Sequence, residues 1–224
     1  MESLQQYIKQ PLIYNMLSKM DSELDKSLTY HCYAHTLDVM KQALALAEID
    51  DLTEQERLLL MIAAAFHDAG FLLQRPKNEP IGAEMAKEAM LASNEFSVEE
   101  QDMVWQMIMD TQLNAEGPAQ TARTHLSPWL LDADLANLGR DDFWQKTTLL
   151  SEEMQIPIEE MLPFTHTLMA RHGWLSPAGQ LLFSEKKQQN LDFLMTKMVQ
   201  WNRSMVSSLS AHKVCLFKFC VGEK

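Results

Sequence analysis

Apolar residues recur at helical spacing through most of the chain. Leu37, Met40, Leu44 and Ala47 fall on one face of a helix beginning near His35. Met103, Val104, Met107 and Ile108 form another such face. It follows Ser97-Val98-Glu99-Glu100, where Ser and Glu three apart can cap each other's backbone. Thr53-Glu54-Gln55-Glu56 repeats that signature before the apolar run Leu58 to Phe66. Further helices are predicted over 11–25, 79–92, 127–138, 141–153, 157–171 and 184–201. Breaks are expected at Gly70, at Pro76 to Pro80, at Gly117-Pro118, at Gly139 and at Gly173 to Gly179.

The pattern predicts an all-α fold with a single domain over 1–203. After Arg203 the chain is Ser-rich and then mixes Val214, Leu216 and Phe217 with Lys213 and Lys218. The tail 204–224 reads equally as a short strand, a docked segment or a disordered one. Composition agrees with helix: only 7 of 224 residues are glycine, and Leu, Met, Ala, Gln and Glu are abundant. The 5 Trp and 16 Met read most simply as core.

Charge narrows the partners. Lys and Arg total 19 against 31 Asp and Glu, a net charge of −12. Such a chain repels a nucleic-acid backbone and an anionic membrane, although a metal and a few local basic groups can still attract a small anion. Leu58 to Phe66, the longest apolar run, is too short to span a bilayer, and MESLQQYIKQ carries no basic-then-apolar signal pattern. Cys32, Cys215 and Cys220 form no CxxC pair. A cytoplasmic protein with free thiols is the expectation. A homodimer is left open.

Four segments carry chemistry: Tyr30-His31-Cys32-Tyr33-Ala34-His35-Thr36, Ala65-Phe66-His67-Asp68-Ala69-Gly70, Asn78-Glu79, and Asp132-Ala133-Asp134-Leu135-Ala136-Asn137-Leu138-Gly139. Imidazole with carboxylate suits Mn, Fe, Zn, Ni or Co, and Mg more weakly. Adjacent side chains on a helix diverge by about 100°, so His67 and Asp68 can share an ion only near a helix end, which Gly70 is expected to supply. Taken singly, His35 is an ordinary helix histidine and His67-Asp68 a turn or cap. The ordered set of His, His-Asp and a distant Asp points to a metal.

From Tyr30 to Leu194 the sequence resembles the HD superfamily of metal-dependent phosphohydrolases. YHCYAHTLDV is similar to the family's opening helix, AAAFHDAG to its His-Asp helix, and LLDADLANLGRDDF to the closing helix of a bacterial subgroup. RHGWLSP and EKKQQNLDFL are also similar to that subgroup. The resemblance implies an HD helical bundle with additional C-terminal helices and a motif core over 30–140. It implies His35, His67, Asp68 and Asp134 as ligands of a divalent ion. Asp132 lies about 200° from Asp134 on a helix and so faces elsewhere, near the site or toward solvent. Asn78-Glu79 stands where subgroup relatives often have His-Glu, and no His lies between His67 and His125. One ion rather than two is therefore expected.

The expected activity is hydrolysis of a phosphate ester in a nucleotide or similar small molecule, with Asp68 and Glu79 as catalytic residues. Arg75, Lys77 and Thr111 are candidate substrate contacts, with a solvated loop charge or a helix-end threonine as the plainer readings. His31 and Asn78 are candidates to orient the ligands. Arg140 reads as a helix-start ion pair with Asp141 or Asp142, and His172 has no assigned role. Two alternatives stand beside hydrolysis. One is an HD domain without turnover that binds a nucleotide or metal for regulation. The other is a diiron oxygenase, which needs more histidines.

Overall fold

The structure is a computed structural model that describes residues 4–74 and 77–220, with side chains described to Trp201. Among the described residues ten α-helices follow one another: α1 (Leu4–Ile8), α2 (Pro11–Glu23), α3 (Tyr33–Ile49), α4 (Glu54–Phe66), α5 (Asn78–Ser93), α6 (Val98–Asp110), α7 (Ser127–Asp134), α8 (Phe143–Met154), α9 (Ile158–Arg171) and α10 (Pro177–Cys220). Short 3-10 turns follow α4 at Ala69–Leu72 and α7 at Ala136–Gly139. Among the described residues there is no strand, so the fold is an all-α bundle with extra C-terminal helices. Among the described residues no helix is long and apolar enough to cross a membrane.

The core forms around α4. Every residue from Leu59 to Phe66 is buried, because this helix is apolar on all sides. It packs against α2, α3, α5, α6 and α7. The Thr53–Glu56 and Ser97–Glu100 capping boxes both form, and they start α4 and α6 where the sequence places them.

Three expectations change. Gly70 does not end α4 in a left-handed conformation; the helix stops at Phe66, and Gly70 lies inside the following 3-10 turn. Glycine is needed there because a Cβ would stand 2.0 Å from the Asn78 carbonyl oxygen. Next, the last long helix begins at Pro177 rather than near 184. Ser176 Oγ accepts the Gly179 N–H at 2.9 Å, a cap that overrides the break expected through Gly179. Finally, the backbone of α10 runs on past Arg203 to Cys220, so the tail is helical as far as it is described.

Candidate metal centre

His35 sits in the first turn of α3, and the residue is 3% exposed. His67 caps the C-terminus of α4, and Asp68 begins the turn that follows. Because the chain leaves helical geometry just here, the adjacent His67 and Asp68 side chains reach the same point. Asp134 closes the set from the last residue of α7. Ligand atoms of His35, His67 and Asp134 lie within 4.8 Å of one another.

The two histidine Nε2 atoms are 3.5 Å apart. Asp134 Oδ1 is 3.4 Å from His35 Nε2 and 3.7 Å from His67 Nε2. Asp68 Oδ2 is 3.5 Å from His35 Nε2 and 3.2 Å from His67 Nε2. Ligands held at about 2.1 Å around one ion sit roughly 3.0–3.5 Å apart, so the spacing is close to that of a first coordination shell. The donor chemistry fits as well. His67 Nδ1 lies 2.8 Å from the Ala64 carbonyl oxygen, so it carries the proton and leaves the Nε2 lone pair facing the cluster. Asp68 Oδ2 is buried and has no hydrogen-bond partner, while Oδ1 accepts from Asn78 Nδ2 at 3.1 Å.

The electrostatics favour positive charge at the centre. Burial opposes protonation of His67, but Asp68 and Asp134 overcome it and raise its pKa to about 9. Burial likewise works against an ionised Asp68, yet His67 and the other imidazoles hold it well below the usual carboxylate range. The field that would protonate an imidazole also attracts a cation.

The surrounding residues hold these ligands in place. Glu153 Oε1 lies 2.5 Å from His31 Nδ1, while its Oε2 accepts the Tyr30 and His31 backbone N–H groups. His31 stacks on Phe71 with ring centroids 4.6 Å apart. Tyr30 packs against His35 at 4.9 Å, and burial together with Asp134 and Asp68 pushes its phenol pKa up. Arg140 Nη2 binds both Asp38 and Asp142 at 2.6 Å. It thereby ties α3 to the start of α8, a wider role than the expected helix-start pair. Gln120 is buried, donates to the Thr111 carbonyl at 2.8 Å and approaches Asp134 Oδ2 at 3.5 Å.

The other candidates are scattered. Glu79 lies in the first turn of α5, with a buried Oε2 that has no hydrogen-bond partner. Lys77 is exposed on a left-handed residue just before α5. Thr111 is buried and donates to the Ile108 carbonyl, the bond of an ordinary helix-end threonine. Arg75 lies outside the described residues. Asp132 is fully buried rather than solvent-facing, and accepts from the Leu175 and Ser176 backbone and from Ser176 Oγ. Its carboxylate thus pairs the Leu175 and Ser176 N–H groups just before α10. Gln120, Glu153 and Asp38 were not singled out from sequence. Gln120 lies in a loop without periodicity, and the other two look like ordinary helix-surface acids.

Comparison with known proteins bears on the family and the fold. The model of the HD domain family matches residues 32–161. No curated protein matches the chain. The fold is similar to that of a predicted HD superfamily hydrolase from an uncultured Thermotogales bacterium. That pair has a TM-score of 0.58 at 17% identity, over 89% of this chain and 99% of the other. It is also similar to a Lactobacillus plantarum protein, with a TM-score of 0.63 at 13% identity over 88% and 99% of the two chains.

Proposed function

The chain belongs to the HD domain family, and from this premise we infer that it hydrolyses a phosphate ester of a nucleotide or similar small molecule with the help of a divalent ion. The fold and the His35–His67–Asp134 cluster support a metal-dependent hydrolase. The observation that carries the reading is Asp68 Oδ2, a buried, unpartnered carboxylate oxygen beside two imidazole nitrogens. Such an oxygen is costly to leave unpaired, and a cation is the partner that suits every donor present.

The residues that would hold the ion are His35, His67, Asp68 and Asp134. A divalent ion there supplies Lewis acidity, making water a nucleophile at neutral pH and polarising the phosphoryl group. The protein does the rest. Asn78 fixes the Asp68 carboxylate plane through Oδ1, which leaves Oδ2 to orient ligand or water. Glu79, one residue on, is assigned the proton relay, since its buried Oε2 has an open hydrogen-bond site. Lys77 is the candidate phosphate contact, its ammonium exposed at the entrance to α5.

The second reading, a regulatory HD domain without turnover, draws on Asn78, which stands at a position where imidazole would be a better metal ligand. One assay separates the two. Purified protein is given a panel of nucleotide mono- and diesters with Mn, Mg, Fe(II), Zn, Ni or Co. Metal-dependent turnover that collapses in Asp68→Ala is expected. Equal turnover by both proteins would assign the activity to another site or a contaminant. No turnover by protein shown to hold its ion would select the regulatory reading.

A further inference from the structure

A separate cavity of about 390 Å³ lies between the end of α9 and α10, within the size range of small-molecule sites. Its polar lining is His172, Trp174, Gln180, Ser184, Lys187 and Gln188, and Met169, Ala170 and Leu191 add apolar surface. No carboxylate lines it, in a chain with 31 acidic residues and a net charge of −12. None of the proposed metal ligands lines it either.

Two of the lining side chains hold buried nitrogens with no hydrogen-bond partner: Nδ1 of His172, which is 7% exposed, and Nε1 of Trp174, which is 8% exposed. An indole N–H can only donate. Burial and the charge of Lys187 lower the His172 pKa to about 3, so its imidazole is neutral and can carry a proton on Nδ1. Lys187 donates one hydrogen bond, to the His172 carbonyl at 2.5 Å, and its Nζ lies 6.0 Å from the Trp174 ring centroid. It has no ion-pair partner among the described residues, which leaves two ammonium hydrogens uncommitted.

Buried donors without partners are rare in folded proteins, and each calls for an explanation. Here an indole, an imidazole and a half-buried ammonium belong to residues that line one cavity with no acid in its wall, and Asp134 is the carboxylate whose charge reaches His172. A metal ion is excluded by the lysine and by the lack of a carboxylate, and a purely apolar ligand would leave every donor unpaired. We propose that this cavity is a second ligand site, which takes the phosphate group of a small molecule through Lys187, His172 and Trp174. It stands independently of the hydrolytic reading, because it uses none of the residues placed at the metal centre.

The test is a titration of the full chain with inorganic phosphate, followed by NMR at the Trp174 indole N–H, whose resonance is assigned with Trp174→Phe. A saturable shift is expected in the wild type and in Asp68→Ala. Lys187→Gln should weaken binding roughly tenfold or more, since a charge-assisted contact is lost. His172→Gln should weaken it too, and circular dichroism checks that both variants remain folded. Adenosine 5′-monophosphate is titrated in parallel: tighter binding than phosphate assigns the occupant as a phosphate ester, and equal binding assigns free phosphate. Binding lost in Asp68→Ala but unchanged in folded Lys187→Gln would place the anion at the metal centre and overturn the proposal. So would the absence of any shift at millimolar phosphate.

Discussion

Asn78 donates its side-chain amide to Asp68 Oδ1 across 3.1 Å, joining the first residue of α5 to the corner where α4 ends. The contact is buried at both ends. It fixes one carboxylate oxygen and leaves the other unpartnered beside the imidazoles. In the inferred metal site, Asn78 therefore orients a ligand without being one. Partners of this kind are typically worth about 10–100-fold in metal affinity. Asn78→Ala should weaken Mn binding by about that factor, as read by calorimetric titration, whereas Asp68→Ala should lose far more. Equal affinity in Asn78→Ala and wild type would remove this role.

Metal should also stabilise the fold. An ion that binds only the native state adds about 2.7 kcal/mol at 100 times its Kd. Saturating Mn should raise the wild-type Tm by several degrees, and chelation should reverse the rise. Asp134→Ala should show no such response, since Asp134 is the candidate ligand contributed by α7. A matching rise in the variant would show that the ion binds elsewhere.

Gly82 is where α5 approaches the His-Asp corner. A Cβ there would lie 2.5 Å from the Phe66 carbonyl oxygen and 3.2 Å from that of His67. Neither atom belongs to a side chain that could swing away. Gly82→Ala should cost about 1–3 kcal/mol by overpacking, measured by urea unfolding, and should lower metal affinity because the corner must shift. A variant as stable as the wild type would mean that the two helices can separate freely.

His172 sets an acid limit on stability. Burial, with the nearby Lys187 charge, depresses its folded-state pKa from 6.5 to about 3, against a weaker opposing effect of Asp134. Below pH 6.5 the unfolded chain binds a proton that the folded protein refuses, so the stabilisation is complete above that value. It is lost as pH falls toward 3, at up to about 1.4 kcal/mol per pH unit from this group. Urea midpoints between pH 7 and pH 4 should fall more steeply for wild type than for His172→Gln. Parallel curves would show that His172 is not held neutral.

Much of the architecture was legible in the sequence because it depends on local rules. Apolar spacing identified the helices, and two capping boxes marked the starts of α4 and α6. His35, His67, Asp68 and Asp134 could be picked out as candidate ligands from an ordered motif and the family resemblance it carries, since the chemistry of a metal ligand lies in the residue type. Contacts between distant segments decided the rest. The convergence of those four side chains depends on how α3, α4 and α7 pack, and no local period encodes a 3.4 Å approach between His35 and Asp134. Asp132 looked like a residue facing away from Asp134, either near the site or toward solvent, and became the anchor of Leu175 and Ser176 only when α10 folded back against α7. Gly70 looked like a helix stop, yet the constraint on it is the Asn78 backbone passing too close for any side chain. Pattern determined which residues could act, and packing determined which of their atoms meet, because burial and hydrogen bonding across segments depend on positions that spacing along one helix does not specify.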